Sequence, residues 1–240
     1  MSDILAERLA REDGGRILDL ATGNGSFLAR LAGTFASYEE ALGLDLEERI
    51  VEAARTFAAE QEIERASFRV MDGAELTFPD ESFDTVAMAN SLHHLERLDE
   101  TLSEMRRVLR PGGLFIVAEM FRDGQNARQQ MHVDYHHWWA EIDRRRGVVH
   151  NPTFTRAELE ELLGGRGFAE QEILLQNWPQ EEDQSEEALR PLIEMNDKVL
   201  ARIEGHADYA ELKARGEELK RRLLDTGWAL ATQLIFIGRK

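Results

Sequence analysis

The sequence predicts a doubly wound α/β fold on a mostly parallel sheet, and two observations carry that expectation. Short apolar runs alternate with helical hydrophobic periods through the first half of the 240 residues. The first run, Ile17 to Leu20, ends in the glycine-containing turn Ala21-Thr22-Gly23-Asn24-Gly25, and a helical pattern follows at once. A buried strand feeding a tight loop at a helix start suits a nucleotide-like ligand.

The elements follow in order. After the first strand a helix buries Phe27, Leu28 and Leu31. Strand two spans about Ala41 to Asp45, and an amphipathic helix follows with Ile50, Val51, Ala54, Phe57 and Ala58 on one face. Strand three spans about Ser67 to Met71. Pro79-Asp80 marks a turn before strand four, Phe83 to Ala89. A helix carrying Leu102, Met105 and Leu109 is stopped by Pro111-Gly112-Gly113, and strand five runs from Leu114 to Met120. The alternation then breaks over residues 122–152. It resumes with the capping box Thr155-Arg156-Ala157-Glu158, a short helix, and strand six from about Phe168 to Leu175. A second interruption at about 178–226 holds two helical patterns, and the last strand spans about Trp228 to Ile237. One domain over 1–240 is expected, the insertions 122–152 and 178–226 forming a substrate lid or cap.

Composition narrows the classes. The net charge of −17 opposes non-specific nucleic-acid binding. The absence of cysteine excludes a disulfide framework, a thiolate nucleophile and Cys-ligated zinc, and fits a reducing cytoplasm. The first twenty residues lack the pattern of a signal peptide, and no apolar run reaches membrane-spanning length. The basic residues are 25 arginines and only four lysines, an imbalance that fits a salt-adapted or GC-rich source as well as an ordinary acidic enzyme.

The chemistry-bearing residues lie at strand ends. Asp19 can meet an ammonium group or orient the loop. Ala21, Thr22, Gly23, Asn24 and Gly25 bring backbone close to a ligand, and glycine tolerates φ > 0 there. Asp45 can accept from both hydroxyls of a ribose, and Leu46 can pack on a base. Asp72 can accept from an exocyclic amino group, with Gly73 and Ala74 leaving room. A dinucleotide register G-x-G-x-x-G would require glycines at 21, 23 and 26. Ala21 and Ser26 break it, which disfavours a nicotinamide-dependent oxidoreductase.

Three later stretches join these: Asp72-Gly73-Ala74-Glu75-Leu76-Thr77-Phe78-Pro79-Asp80-Glu81-Ser82-Phe83-Asp84, then Ser91-Leu92-His93-His94-Leu95, then Arg107-Val108-Leu109-Arg110-Pro111-Gly112-Gly113. In this order, over residues 16 to 120, the chain resembles the small-molecule class I methyltransferases that use S-adenosylmethionine. The resemblance implies a Rossmann-like seven-stranded sheet with the last strand antiparallel. It implies S-adenosylmethionine as cofactor, S-adenosylhomocysteine as product, and a small-molecule acceptor methylated on O, N or C. The loop Asn90 to His94 belongs to the implied site. Two departures stand out. The first loop glycine of the family is Ala21 here, and about fifteen residues precede strand one where relatives carry one or two helices over the methionine end of the cofactor. A non-catalytic binder of the cofactor, a sensor or supporting subunit, is the alternative from another class.

His94 is the candidate general base, near where the methyl group should sit; the bland alternative is a histidine that shapes the loop. His93 reads as structural. In Met131-His132-Val133-Asp134-Tyr135-His136-His137-Trp138-Trp139, the residues Tyr135, His136, Trp138 and Trp139 are candidates for covering the acceptor, against plain packing of an inserted helix. A metal held by His132, His136 and Glu141 or His150 lacks a full ligand set, and no metal is expected. Arg144-Arg145-Arg146 reads as a solvated face. The helical pair at 185–226 packs on the chain itself or forms a homodimer contact.

Overall fold

The apolar runs of the first half become five parallel strands because each must satisfy its backbone while burying both faces. The structure, a computed structural model, describes residues 3–240. In chain order it contains α1 (Ile4–Leu9), β1 (Arg16–Leu20), α2 (Ser26–Thr34), β2 (Glu40–Asp45), α3 (Glu48–Glu60), β3 (Ala66–Val70) and β4 (Phe83–Ala89). A 3-10 turn at Leu92–His94 precedes α4 (Leu98–Val108) and β5 (Leu109–Met120). Then come α5 (Ala127–Arg145), α6 (Arg156–Gly164), β6 (Glu170–Gln176), α7 (Glu186–Ala201), α8 (Tyr209–Thr226) and β7 (Gln233–Arg239).

The seven strands form one sheet in the order β3-β2-β1-β4-β5-β7-β6. Strands β1 to β5 pair in parallel, and β7 runs antiparallel to both β5 and β6. This is the expected Rossmann-like sheet. The chain order reverses between β1 and β4, so the C-terminal ends of β1, β2 and β4 face a switch point, where open α/β sheets take ligands. Register aligns Asp19 of β1 with Gly43 of β2 and Ala87 of β4.

The chain divides into two compact units. One comprises, among the described residues, 3–119, 160–176 and 234–240 and carries the sheet. Its core joins Leu5, Ile17, Leu28, Leu31, Val51 and Phe68 with apolar residues of β4, β5 and β7. The short α1, absent from the sequence reading, is capped by Asp3, whose Oδ1 accepts from the Ala6 amide.

The other unit comprises residues 120–159 and 177–233, and so gathers both insertions. Helices α5, α7 and α8 share a core of Met131, Tyr135, Trp138, Ile142, Leu189 and Leu212 with further leucines and isoleucines. Asn126 opens α5 with a capping box closed by Gln129. The expected final strand begins late. Trp228 to Thr232 bond outside the sheet: Trp228 N–H donates to Gln184 Oε1, Ala229 N–H to Arg128 O and Ala231 N–H to His132 Nδ1 on α5, and Thr232 N–H to Gln125 Oε1 just before that helix. Side-chain acceptors outcompeted a strand ladder there, a choice that hydrophobic pattern cannot reveal. No helix among the described residues is long and apolar enough to cross a membrane.

Trp138 is the largest side chain fully buried in this unit, and its indole N–H donates to Leu212 O at 2.9 Å. Trp138→Ala removes both the packing and the donor, and should cost about 3–5 kcal/mol in urea unfolding followed by far-UV circular dichroism.

Candidate active site

Asp19 closes β1 with its carboxyl 1% exposed. Its Oδ2 accepts from the Thr22 hydroxyl at 2.7 Å, while Oδ1 has no hydrogen-bond partner among the described residues. Burial pushes this carboxyl up to about 7; the Thr22 hydrogen bond partly opposes that, and the nearby charge of Asp45 adds to it. A buried carboxyl with an open acceptor and no cation beside it fits a ligand that brings a positive charge.

The loop after Asp19 is held by backbone bonds: Thr22 N–H donates to Leu44 O, and Gly25 N–H to Thr22 O. Gly23 sits at φ +57°, and a Cβ there would meet nothing within 4 Å, so the loop leaves a bare face. Gly25 at φ +83° forms the N-cap of α2. Ala21 adopts φ +50°, a conformation in which an alanine Cβ is strained by roughly 1–2 kcal/mol. The family's usual glycine is thus missing at a position whose backbone favours glycine.

At the end of β2, Asp45 Oδ2 accepts from Gly23 N–H at 3.1 Å and Oδ1 from Leu46 N–H at 2.8 Å. The carboxylate therefore shapes the loop; Oδ1 also takes the Glu47 N–H at 3.4 Å, and Oδ2 keeps acceptor capacity beyond the Gly23 amide. Leu46 is 65% exposed, an apolar side chain standing open beside it. Asp72 is more engaged than the sequence suggested. Its Oδ1 accepts from Ala74 N–H at 2.9 Å, and its Oδ2 is paired with Arg97 at 2.5 Å. Gly73 approaches Leu20 closely: a Cβ there would meet its side chain at 3.1 Å. Arg97 was not foreseen, because its partners lie 25 and 22 residues away at Asp72 and Glu75.

Beyond β4, Asn90 takes φ +49°, and its N–H donates to Ala118 O. The turn Leu92–His94 is anchored by Glu119, which is 0% exposed at the end of β5. Glu119 Oε2 accepts from Leu92 N–H at 3.0 Å, and Oε1 lies 3.2 Å from His93 Nδ1. His93 is buried against Glu119, and His94 beside it is exposed. The sequence reading missed Glu119. Its signal was a lone acid closing the apolar run Leu-Phe-Ile-Val-Ala.

In the helical unit, the residues expected to cover an acceptor separate. Tyr135 and Trp138 are packed into the unit's own core, so their rings serve helix packing. Trp139, half-buried, donates to Asn196 Oδ1 at 2.8 Å. The pairing of His132 with His136 and Glu141 does not form. His132 is buried against Trp228, accepts from Ala231 N–H, and is pushed by burial down to about 4. Glu141 pairs with Arg145 and Arg215. The arginine run is likewise engaged: Arg144 donates to His150 O, Arg145 pairs with Asp208, and Arg146 with Asp143.

A surface groove of the sheet unit, about 620 Å³, lies elsewhere. It is lined by Asp13, Arg16, Tyr38, Asp84 and Arg110, near the starts of β1 and β4. There Asp84 is already engaged, pairing with Arg110 and accepting from the Arg16 amide.

Sheet order, switch point, glycine turn and strand-end carboxylates together define a Rossmann-like fold. Residues 11–162 match a family model described as a methyltransferase domain, and the chain belongs to that family. The 27-O-demethylrifamycin SV methyltransferase of Amycolatopsis mediterranei is 37% identical over 114 residues, 47% of this chain and 41% of that protein. A demethylmenaquinone methyltransferase of Bacteroides fragilis is 34% identical over 121 residues, 50% of this chain and 49% of that one. The matches thus span under half the length of these curated relatives. The crystal structure of the YcgJ protein from Bacillus subtilis superposes with a TM-score of 0.59 at 16% identity, covering 99% of this chain and 96% of that one, a likeness of fold.

Asp19 gives a signed pH dependence. Its folded value of about 7 exceeds the unfolded 3.8, so between these the folded state holds a proton the unfolded chain has released. Stability contributed by the protonated form is full below about pH 4, falls as pH rises, and is lost above about 7, in total roughly 4 kcal/mol. Asp19→Asn should flatten this slope in urea titrations from pH 4 to 8. Ala21→Gly should leave stability unchanged or raise it by up to about 1 kcal/mol in thermal melts, relief of the strained φ outweighing the entropy glycine adds to the unfolded chain.

Proposed function

We propose that the protein transfers a methyl group from S-adenosylmethionine to a small-molecule acceptor. The observation that carries this is the buried Asp19 carboxyl, with one oxygen open, beside a bare glycine loop at the switch point of a methyltransferase-family sheet. In this reading Asp19 takes the cofactor's ammonium group, and the amides from Ala21 to Gly25 approach its carboxylate end. Asp45 accepts from the ribose hydroxyls through the acceptor capacity left on its carboxylate, chiefly at Oδ2. Leu46 packs on the adenine, Asp72, Gly73 and Ala74 border its edge, and Asn90 lines the loop toward the reacting end.

Bound S-adenosylmethionine supplies a methyl group on a sulfonium, open to in-line displacement by a nucleophile. Alignment then provides much of the rate, and a base is needed only for an acceptor that must lose a proton. His94 is proposed for that step. Its neighbour His93, held by Glu119, fixes the turn that presents it. The helical unit selects the acceptor, with His136 and Trp139 as its partly accessible polar and aromatic groups, while Tyr135 and Trp138 hold the unit together. Relatives named for a rifamycin and for a demethylmenaquinone favour a bulky, ring-bearing acceptor.

Calorimetric titration with S-adenosylmethionine and with NADH tests the cofactor. The first should bind and the second should not; the reverse overturns the reading. Asp45→Ala should weaken S-adenosylmethionine binding about 10- to 100-fold, the loss of hydrogen bonds to a charged group. Near pH 6, binding should release a proton from Asp19, seen as a binding enthalpy that varies with buffer ionisation heat. With an acceptor in hand, His94→Ala should lower kcat about 10²- to 10⁴-fold at unchanged cofactor affinity; full activity would remove the base.

A further inference from the structure

Within the helical unit, His150 and His136 face each other, Nε2 to Nε2, at 3.0 Å. His150 is 4% exposed and its other nitrogen, Nδ1, lies 3.0 Å from Asp143 Oδ2. Asp143 is itself fixed by Arg146 and Arg202, and Arg144 clamps the His150 carbonyl. A carboxylate accepting from Nδ1–H leaves the His150 Nε2 as a lone pair aimed at His136. The other histidines of the unit differ: His132, His137 and His206 each accept from a backbone amide, those of Ala231, Thr153 and Asp208.

We propose that His136 and His150 are two ligands of a divalent first-row transition-metal ion, with Asp143 as the group that orients His150. The arrangement is that of a carboxylate–histidine–metal chain, in which the second-shell acid sets the tautomer and raises the basicity of the ligand. The spacing agrees. Two imidazole nitrogens 3.0 Å apart, each at about 2.05 Å from an ion, subtend about 94°, between octahedral cis and tetrahedral angles. Imidazole donors select zinc, cobalt, iron, nickel or copper over magnesium and calcium. The site is independent of the cofactor assignment above. It also replaces the ligand set that sequence spacing suggested: the i, i+4 pair His132–His136 gives way to a contact across 14 residues.

The test is titration of tag-free, metal-stripped full-length protein with Zn²⁺ and with Co²⁺, read by calorimetry and by cobalt visible absorption. One ion per chain is expected. His136→Gln and His150→Ala should each weaken uptake at least about tenfold, Asp143→Asn about 10- to 100-fold, and His206→Ala should leave it unchanged. X-ray absorption on the zinc-loaded wild type should show at least two imidazole nitrogens at about 2.0–2.1 Å, a readout that does not depend on any variant folding. Absence of uptake by the wild type would reduce the contact to a histidine–histidine hydrogen bond and overturn the proposal. Uptake that survives loss of both histidines, or a zinc shell of oxygens alone, would overturn it equally.

Discussion

A carboxyl group buried at the end of the central strand with one oxygen unpartnered is costly, and the loop that follows β1 is arranged around it. Asp19 is 1% exposed, and the Thr22 hydroxyl satisfies only one of its oxygens. Thr22 is in turn fixed by Leu44 on the neighbouring strand, so the loop that follows is tied to β2 before it turns into α2. Asp45 then draws in the Gly23 amide from the same loop. The nearby Asp45 adds to the cost of ionising Asp19, beyond what burial alone imposes.

A second buried acid does a different job. Glu119 is fully buried at the end of β5, yet both its oxygens are used, on the Leu92 amide and beside His93. The turn after β4 is thus attached to the neighbouring strand by the Leu92 amide hydrogen bond to Glu119 and by the close approach of the His93 ring to the same carboxylate. The buried carboxyls at the ends of β1 and β5 therefore differ in their surroundings: Glu119 ties down a turn, whereas one Asp19 oxygen has no hydrogen-bond partner among the described residues.

The helical unit shows how a divergent insertion becomes ordered. Its apolar stripes on α7 and α8 bury against α5, whose rings supply most of the volume. Trp138 and Trp139 each place an indole N–H on an oxygen of another helix, so the aromatic packing is also directional. A ring that fills a core in this way is unavailable for ligand contact. This is why a cluster rich in tyrosine, histidine and tryptophan divides into packing groups and accessible ones only after the helices dock.

The sequence by itself determined the sheet, the glycine turn at Gly23, and the strand-end acids Asp19, Asp45 and Asp72. These depend on hydrophobic period and on residues adjacent in the chain, which local sterics and backbone bonding control. The two helical patterns near 185–226 were legible for the same reason and became α7 and α8. Tertiary structure alone decided which polar groups meet. Arg97 reached Asp72, Glu119 reached His93, and Ala231 claimed His132, across 25, 26 and 99 residues. It also turned Trp228–Thr232 away from the sheet, and brought His150 to His136. Such pairings are chosen by competition among distant donors and acceptors once the elements pack, and a one-dimensional pattern holds no record of that competition.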